Sequence, residues 1–261
     1  MNKAWYSMTA EETAAELSSN GAAGLSTADA AERLKQYGPN QLREKPAPTL
    51  WEMFIEQFKN FLIFILLAAC VVSAALGEVI DSVIILVIVI LNAVLGVVQE
   101  SRATQALAAL KKLSAPHAKV LRDGQETLIA AADLVPGDVV LLEAGDFVPA
   151  DLRLLESYNL KVEEAALTGE SVPVEKTANA VFEGEVAIAD QHNMCFMGTT
   201  VTYGRGTGMV VATGMQTEIG KIAEMLGDEE GPTPLQRKLE VLGKQIGMLV
   251  LIICAIVFSV G

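Results

Sequence analysis

The sequence predicts a mixed fold: apolar helices able to cross a membrane, an all-β domain inserted between two of them, and a pair of short helices at the amino end. Three observations predict it. Blocks 60–77, 82–99 and 245–261 contain no charged residue, and each is of the length, about 17–25 residues, that a helix needs to span the hydrocarbon of a bilayer. Between Pro116 and Thr213 the pattern changes to short Val/Leu-rich runs cut by Gly, Pro and Asp, the mark of many strands joined by turns. The first 45 residues carry helix start and stop signals without a long apolar run.

At the amino end, Thr9 followed by Glu12 forms a capping box ahead of a helix over Ala10 to Leu17. Ser26 or Thr27 caps a second helix, with Leu34 and Tyr37 on one face and Gly38-Pro39 as its stop. Pro46 and Pro48 then punctuate a linker before LWEMFIEQF, whose Trp51, Phe54, Ile55 and Phe58 recur at helical spacing. That stripe suits a helix lying on a membrane surface, with an ordinary core-facing helix as the alternative. The apolar blocks lack the polar stripe of a buried soluble helix, and the first starts too far into the chain for a signal peptide.

The link between the first two blocks holds Glu78 and Asp81 and no Lys or Arg, whereas Lys59, Arg102, Lys111, Lys112, Arg237, Lys238 and Lys244 flank the opposite ends. By the positive-inside rule the amino terminus and the β domain are cytosolic in a multipass protein. The second helix continues from Glu100 to Leu113 without Gly or Pro, as a stiff stalk. Asp123-Gly124 between two apolar runs signals a hairpin. A helical pattern resumes near Met215 and leads through PLQRKLEVLGKQIG into the third block as a second stalk. The boundaries are therefore 1–48 for the amino-terminal helices, 49–78 for the first apolar helix and its lead-in, and 79–113 for the second helix and stalk. The β domain takes 114–215, the second stalk 216–244 and the third apolar helix 245–261. Stiff helices at both ends suit the β domain to transmitting movement, or to acting as a rigid spacer.

A formal net charge of −13 excludes the basic face that nucleic acid requires. Three cysteines, with Cys70 and Cys254 in apolar blocks and Cys195 alone, fit neither a disulfide framework nor a zinc spacing. His117 and His192 stand far apart, and no metal site is read from the sequence. Chemistry is carried by Leu167-Thr168-Gly169-Glu170-Ser171, a polar loop in which a glycine allows close backbone approach and one carboxylate stands beside two hydroxyls. Such a loop can orient a water molecule, the carboxylate taking its proton, or it can be a solvated turn.

LTGES, preceded by VEEAA and followed by VPVEK, resembles the signature loop of the actuator domain of P-type ATPases. Val135-Pro136-Gly137-Asp138 and Pro149-Ala150-Asp151 stand upstream as they do in that family. LNAVLGVVQE, TPLQRKLEVLGKQI and GLSTADAAERLKQYGPNQL look like its calcium-pump branch, the sarcoplasmic-reticulum type and its bacterial relatives, so the resemblance runs through essentially the whole chain.

The resemblance implies a distorted jelly-roll actuator that includes the amino-terminal helices, in a pump cycling through an aspartyl phosphate. It carries over to Glu170 the activation of the attacking water, and to Thr168 and Gly169 the shape of the loop. It implies ATP and Mg2+ for the complete pump, bound by residues outside this chain, and a transported cation, calcium first. It also implies as partners the phosphorylation, nucleotide-binding and remaining membrane parts of the same pump, in a lipid bilayer, with a bacterial plasma membrane as the location. No Asp-Lys-Thr-Gly-Thr phosphorylation string occurs in the sequence, so this chain alone is expected neither to hydrolyse ATP nor to transport. Lys59-Asn60 stand where animal calcium pumps place an acidic pair. A pump for manganese, sodium, potassium or protons, and a membrane-anchored adaptor without catalysis, are the alternative readings.

Overall fold

The computed structural model describes residues 3–43, 48–59, 61–113, 116–226 and 234–260. The chain divides into two compact units, one of Met1–Glu44 with Ser114–Gly227 and one of Lys45–Leu113 with Asp228–Gly261.

The first unit is an antiparallel sheet clasped by the amino-terminal helices. Its strands are β1 (His117–Arg122), β2 (Gln125–Ala130), β3 (Val139–Glu143), β4 (Asp151–Glu163), β5 (Val174–Glu175), β6 (Met194–Cys195) and β7 (Thr200–Ala212). They order as β2-β1-β3-β7-β4-β5, with β6 also paired to β4. Asp123 and Gly124 both take positive φ, 52° and 73°, and Arg122 pairs with Gln125, giving the expected two-residue hairpin. The expected short strands over 194–213 are instead dominated by β7, which with β4 makes two thirteen-residue strands. Register shifts along their ladder, at Leu154/Glu156 and Tyr158/Lys161 among others, bend the pair. Glycine makes the contact possible: a Cβ at Gly208 would stand 2.9 Å from Leu152. The core lies on this bend, with Val120, Leu142, Leu152, Leu154, Leu160, Val162 and Val210 all nearly or fully buried. Cys195 is one of these core residues, and burial pushes its thiol up to about 12.

Helices α1 (Ala10–Glu16) and α2 (Thr27–Tyr37) start as the sequence predicts, with the Thr9/Glu12 capping box in place and Ser26 capping α2. Gly38, at φ 77°, ends α2. These helices grip the sheet through its turns. Asp123 at the hairpin tip accepts hydrogen bonds from the Thr27 backbone N–H and hydroxyl, which hold its carboxyl below the usual range. Arg33 donates to Pro136 O at 2.7 Å and the Ser19 hydroxyl to Gly137 O at 2.6 Å. Asn40 donates to Ala131 O and Pro149 O and accepts from Gly214 N.

The stalk expected over 216–244 is two helices, with 227–233 outside the described residues. The second of them, Pro234–Val260, runs unbroken from a proline start into the apolar block. The first, Glu218–Leu226, belongs to the sheet's unit. Asp151 Oδ2 accepts from its first N–H at 2.8 Å, and a Cβ at Gly220 would lie 2.4 Å from Gly214 O. That close seat ties the helix to the sheet rather than to the apolar block.

In the second unit, α3 (Leu50–Gln57), α4 (Phe61–Ala75) and α5 (Val79–Leu113) precede the sheet in the chain. A single turn of α-helix within the signature loop (Ala165–Thr168) is α6, the helix after the sheet (Glu218–Leu226) is α7 and the last (Pro234–Val260) is α8. The thirty-five residues of α5 form one continuous helix. Helix α4 lies against it across the turn at Gly77, and Val89 and Ala93 are completely buried. Met53 is the buried residue of α3, while of the apolar stripe Trp51 is 69% and Ile55 47% exposed and Phe54 and Phe58 are half-buried. Of the three apolar blocks, one lies in a helix that is, among the described residues, long and apolar enough to cross a membrane, Val79–Leu110. In the first block α4 takes fifteen residues, Leu76 and Gly77 form the turn after it, and Asn60 lies outside the described residues.

Candidate functional site

The loop 164–176 leaves β4 at Glu163 and returns as β5, where Lys161 pairs with Glu175 and Val162 with Val174. Its first turn is α6, in which the N–H groups of Leu167 and Thr168 both bond to Glu164 O, at 2.9 and 3.0 Å. Leu167 packs on the cluster of Met194, Phe196 and Val211, together with Trp5, Tyr6, Leu17 and Ile188, so an apolar anchor precedes the polar tip. The chain then reverses at Gly169, φ 77° and ψ −2°, a left-handed conformation that favours glycine. Thr168 serves two bonds: its hydroxyl donates to Glu164 O at 3.1 Å and accepts from the Glu170 N–H at 3.3 Å.

The three residues singled out by sequence are thus consecutive and structurally coupled. Glu170 is exposed, and its carboxylate makes no hydrogen bond to the described residues. Ser171 and Val172 beside it are exposed, Val172 by 75%. The tip presents one unengaged carboxylate next to an apolar side chain, above a turn closed by backbone hydrogen bonds from Leu167, Thr168 and Gly169.

Beneath the tip lies a feature the sequence reading passed over. Glu164 and Lys176, at the two ends of the loop, are both fully buried in their side chains, and Lys176 Nζ stands 2.6 Å from Glu164 Oε1. Lys176 Nζ also reaches Gln191 O at 3.4 Å and sits 5.6 Å from the centre of the Phe196 ring. Burial raises the proton affinity of Glu164, opposed first by Lys176 and then by His192. The signal was present as a Glu and a Lys flanking the loop, but nothing in their spacing tells a buried pair from two solvated charges.

Asp138 and Asp151, from the upstream turns, are structural in this unit. Asp138 is completely buried, pairs with Arg122 at 2.6 Å and accepts from Val135 N. Asp151 accepts from the N–H groups of Met197 and Glu218, and burial pushes its carboxyl up to about 6 despite those two bonds. His117 is exposed, and the half-buried His192 has Nδ1 without a hydrogen-bond partner. Among the described residues no group of three or more His, Cys, Asp or Glu could hold a metal ion.

Comparison with known proteins bears on this geometry. Residues 112–227, which include the whole sheet and the loop, match the family model described as the P-type ATPase actuator domain. The chain carries the actuator domain of a P-type ATPase. Residues 5–73 match a second model, that of the cation transporter/ATPase N-terminus, in agreement with the amino-terminal helices that clasp the actuator sheet. The chain is 49% identical over 262 residues to calcium-transporting ATPase 1 of Bacillus cereus, covering 98% of this chain and 30% of the relative. It is 47% identical over 240 residues to the calcium-transporting ATPase of Bacillus subtilis, covering 91% of this chain and 27% of the relative. A cation-transporting ATPase of Synechocystis is 42% identical over 252 residues, with 96% of this chain and 28% of the relative covered. The actuator and the helices before it thus span less than a third of the length of these relatives.

Proposed function

We propose that this chain provides the actuator and leading membrane helices of an ATP-driven calcium pump, and that Glu170 activates the water that hydrolyses an aspartyl phosphate on another part of the same pump. The observation that carries the reading is the unengaged Glu170 carboxylate at the exposed tip of a loop whose base is locked. A group that must meet a reacting centre elsewhere has to be free of competing partners, and the backbone bond from Glu170 N–H to the Thr168 hydroxyl supports a defined placement of the residue. In the reaction the water oxygen bonds to phosphorus as the bond from phosphorus to the aspartyl oxygen breaks. The water proton passes to Glu170, and the aspartate leaves as a carboxylate. Thr168 fixes the Glu170 backbone and Gly169 makes the reversal that presents it.

Calcium is favoured by the names of the two Bacillus relatives, and the Synechocystis relative, named only for cation transport, keeps a second ion open. ATP and Mg2+ would be bound by the phosphorylation and nucleotide-binding parts of the pump. The uncharged length of α5 and the exposed Trp51 and Ile55 of α3 support a bilayer around the second unit, with the actuator on the cytosolic side by the distribution of Lys and Arg. Rotation of the actuator, conveyed by the chain on either side of it, would then switch access of the cation across the membrane.

The test is Glu170→Ala in the complete pump. Phosphorylation from ATP is retained, while decay of the phosphoenzyme slows about 100-fold or more, the usual scale for loss of a general base. Decay at the wild-type rate removes Glu170 from the mechanism. Calcium-stimulated ATPase activity, measured against manganese, sodium and potassium, decides the ion.

A further inference from the structure

We infer that Glu164 and Lys176 are positioning residues for dephosphorylation: their buried ion pair closes the base of the signature loop and sets the direction of the Glu170 carboxylate. The inference rests on the reading of Glu170 as the group that activates water. A continuous series of contacts links the pair to the tip. Lys176 Nζ lies 2.6 Å from the Glu164 carboxylate, the carbonyl of Glu164 takes the Thr168 hydroxyl at 3.1 Å, and that hydroxyl takes the Glu170 N–H at 3.3 Å. The lysine is itself immobilised, its backbone N–H donating to Leu160 O at 2.8 Å and its ammonium group reaching Gln191 O.

Stability alone does not account for the pair. Both side chains are withdrawn from water, and Glu164 Oε2 has no hydrogen-bond partner among the described residues. Desolvating two charges this completely costs as much as their attraction returns, so apolar side chains of similar volume would hold the sheet equally well. A charge pair differs from an apolar pair in being directional. It fixes where Glu164 sits, and the Glu164 carbonyl organises α6 through bonds from Leu167 N, Thr168 N and the Thr168 hydroxyl. The two-residue strand β5 is too short to set the return of the loop by itself.

The experiment compares Glu164→Gln, Lys176→Met, Glu164→Asp and Lys176→Arg with Glu170→Ala in the complete pump, following formation and decay of the phosphoenzyme. Glu164→Gln and Lys176→Met are expected to slow decay about 10- to 100-fold, the penalty for displacing a reacting group by about 1 Å, and to leave phosphorylation from ATP unchanged. Lys176→Arg and Glu164→Asp, which keep the charges, recover part of the rate. Combined with Glu170→Ala, Glu164→Gln adds no further slowing, because the pair acts only through Glu170. A merely structural role would instead slow decay further in the double variant. Wild-type decay in Glu164→Gln or Lys176→Met, or additive slowing with Glu170→Ala, overturns the inference. Wild-type decay in Glu170→Ala overturns the reading beneath it, a separate result. Should the neutral variants fail to accumulate in membranes, Glu164→Asp, whose shorter side chain displaces the pair, decides: slowing that is not additive with Glu170→Ala supports the inference, and additive slowing overturns it.

Discussion

At Gly169 nothing stands within 4 Å of where a Cβ would lie, so the glycine is required by its φ of 77° and not by space. Forcing an L side chain into that region costs about 1–2 kcal/mol. Asparagine tolerates it better than alanine does. Gly169→Ala is therefore expected to slow phosphoenzyme decay more than Gly169→Asn, and equal rates in the two would show that the left-handed backbone is not what presents Glu170. The sequence made Thr168, Gly169 and Glu170 conspicuous because they are consecutive and chemically distinctive. It could not disclose the burial of Glu164 and Lys176, since burial depends on what the rest of the sheet places over them. The same holds for Arg153, a completely buried cation whose guanidinium donates to the carbonyls of Met8, Leu154, Ala178 and Ala180.

Among the elements, α7 shows how one carboxylate can decide which unit a helix joins. Asp151 takes the N–H groups of Glu218 and Met197 at 2.8 Å each, so a single side chain caps the helix and ties down the turn between β6 and β7. Asp151→Ala leaves two half-buried donors without their acceptor, at about 1 kcal/mol each. Amide exchange in Glu218–Leu226 is expected to accelerate at least 10-fold in that variant, with β1 and β2 unaffected; unchanged exchange in α7 would show that Gly220 packing alone seats it. The helices α1 and α2 and the β1–β2 hairpin were legible because their signals are local: a capping box, a cap and an Asp-Gly turn. The assignment of α7 to the sheet's unit was not, because it rests on long-range partners, the bond from Asp151 and the close approach of Gly220 to Gly214. The length of β7 was masked by its three glycines, which read as turns and serve instead as flat surface for β4.

Taken whole, the actuator unit buries two carboxylates whose proton affinity is raised, Asp151 to about 6 and Glu164 in the same direction. A raised folded-state value means that the folded unit binds the proton more tightly than the unfolded chain, so stability from these groups falls as pH rises through the window from 3.8 to about 6. For Asp151 the loss is about 3 kcal/mol across that window. Asp123 and Glu143, held low by their partners, act oppositely and only at more acid pH. The thermal midpoint of the actuator is thus expected to be higher near pH 5 than near pH 8, with a smaller slope in Asp151→Asn; a midpoint that climbs from pH 5 to 8 would contradict the burial argument. The broad plan of apolar helices around a β domain was legible from composition, since uncharged blocks and Gly-rich strands differ grossly. That residues 3–43 are an integral layer of the actuator was implied only by family resemblance, as their anchors, Arg33, Asn40 and the Met8 carbonyl, are ordinary residues that gain meaning from distant backbone.

The sheet order has a consequence for how such a chain is made. The strand that joins its two halves, β7 between β3 and β4, is the last of the seven to leave the ribosome, and the first helices of the unit precede it by the whole of α3, α4 and α5. Until Ala212 has emerged, β3 and β4 each present an open edge and the amino-terminal helices have an incomplete surface to clasp. A nascent chain therefore passes through a late stage with unpaired strands, in which the neighbouring helices are already committed to their own packing.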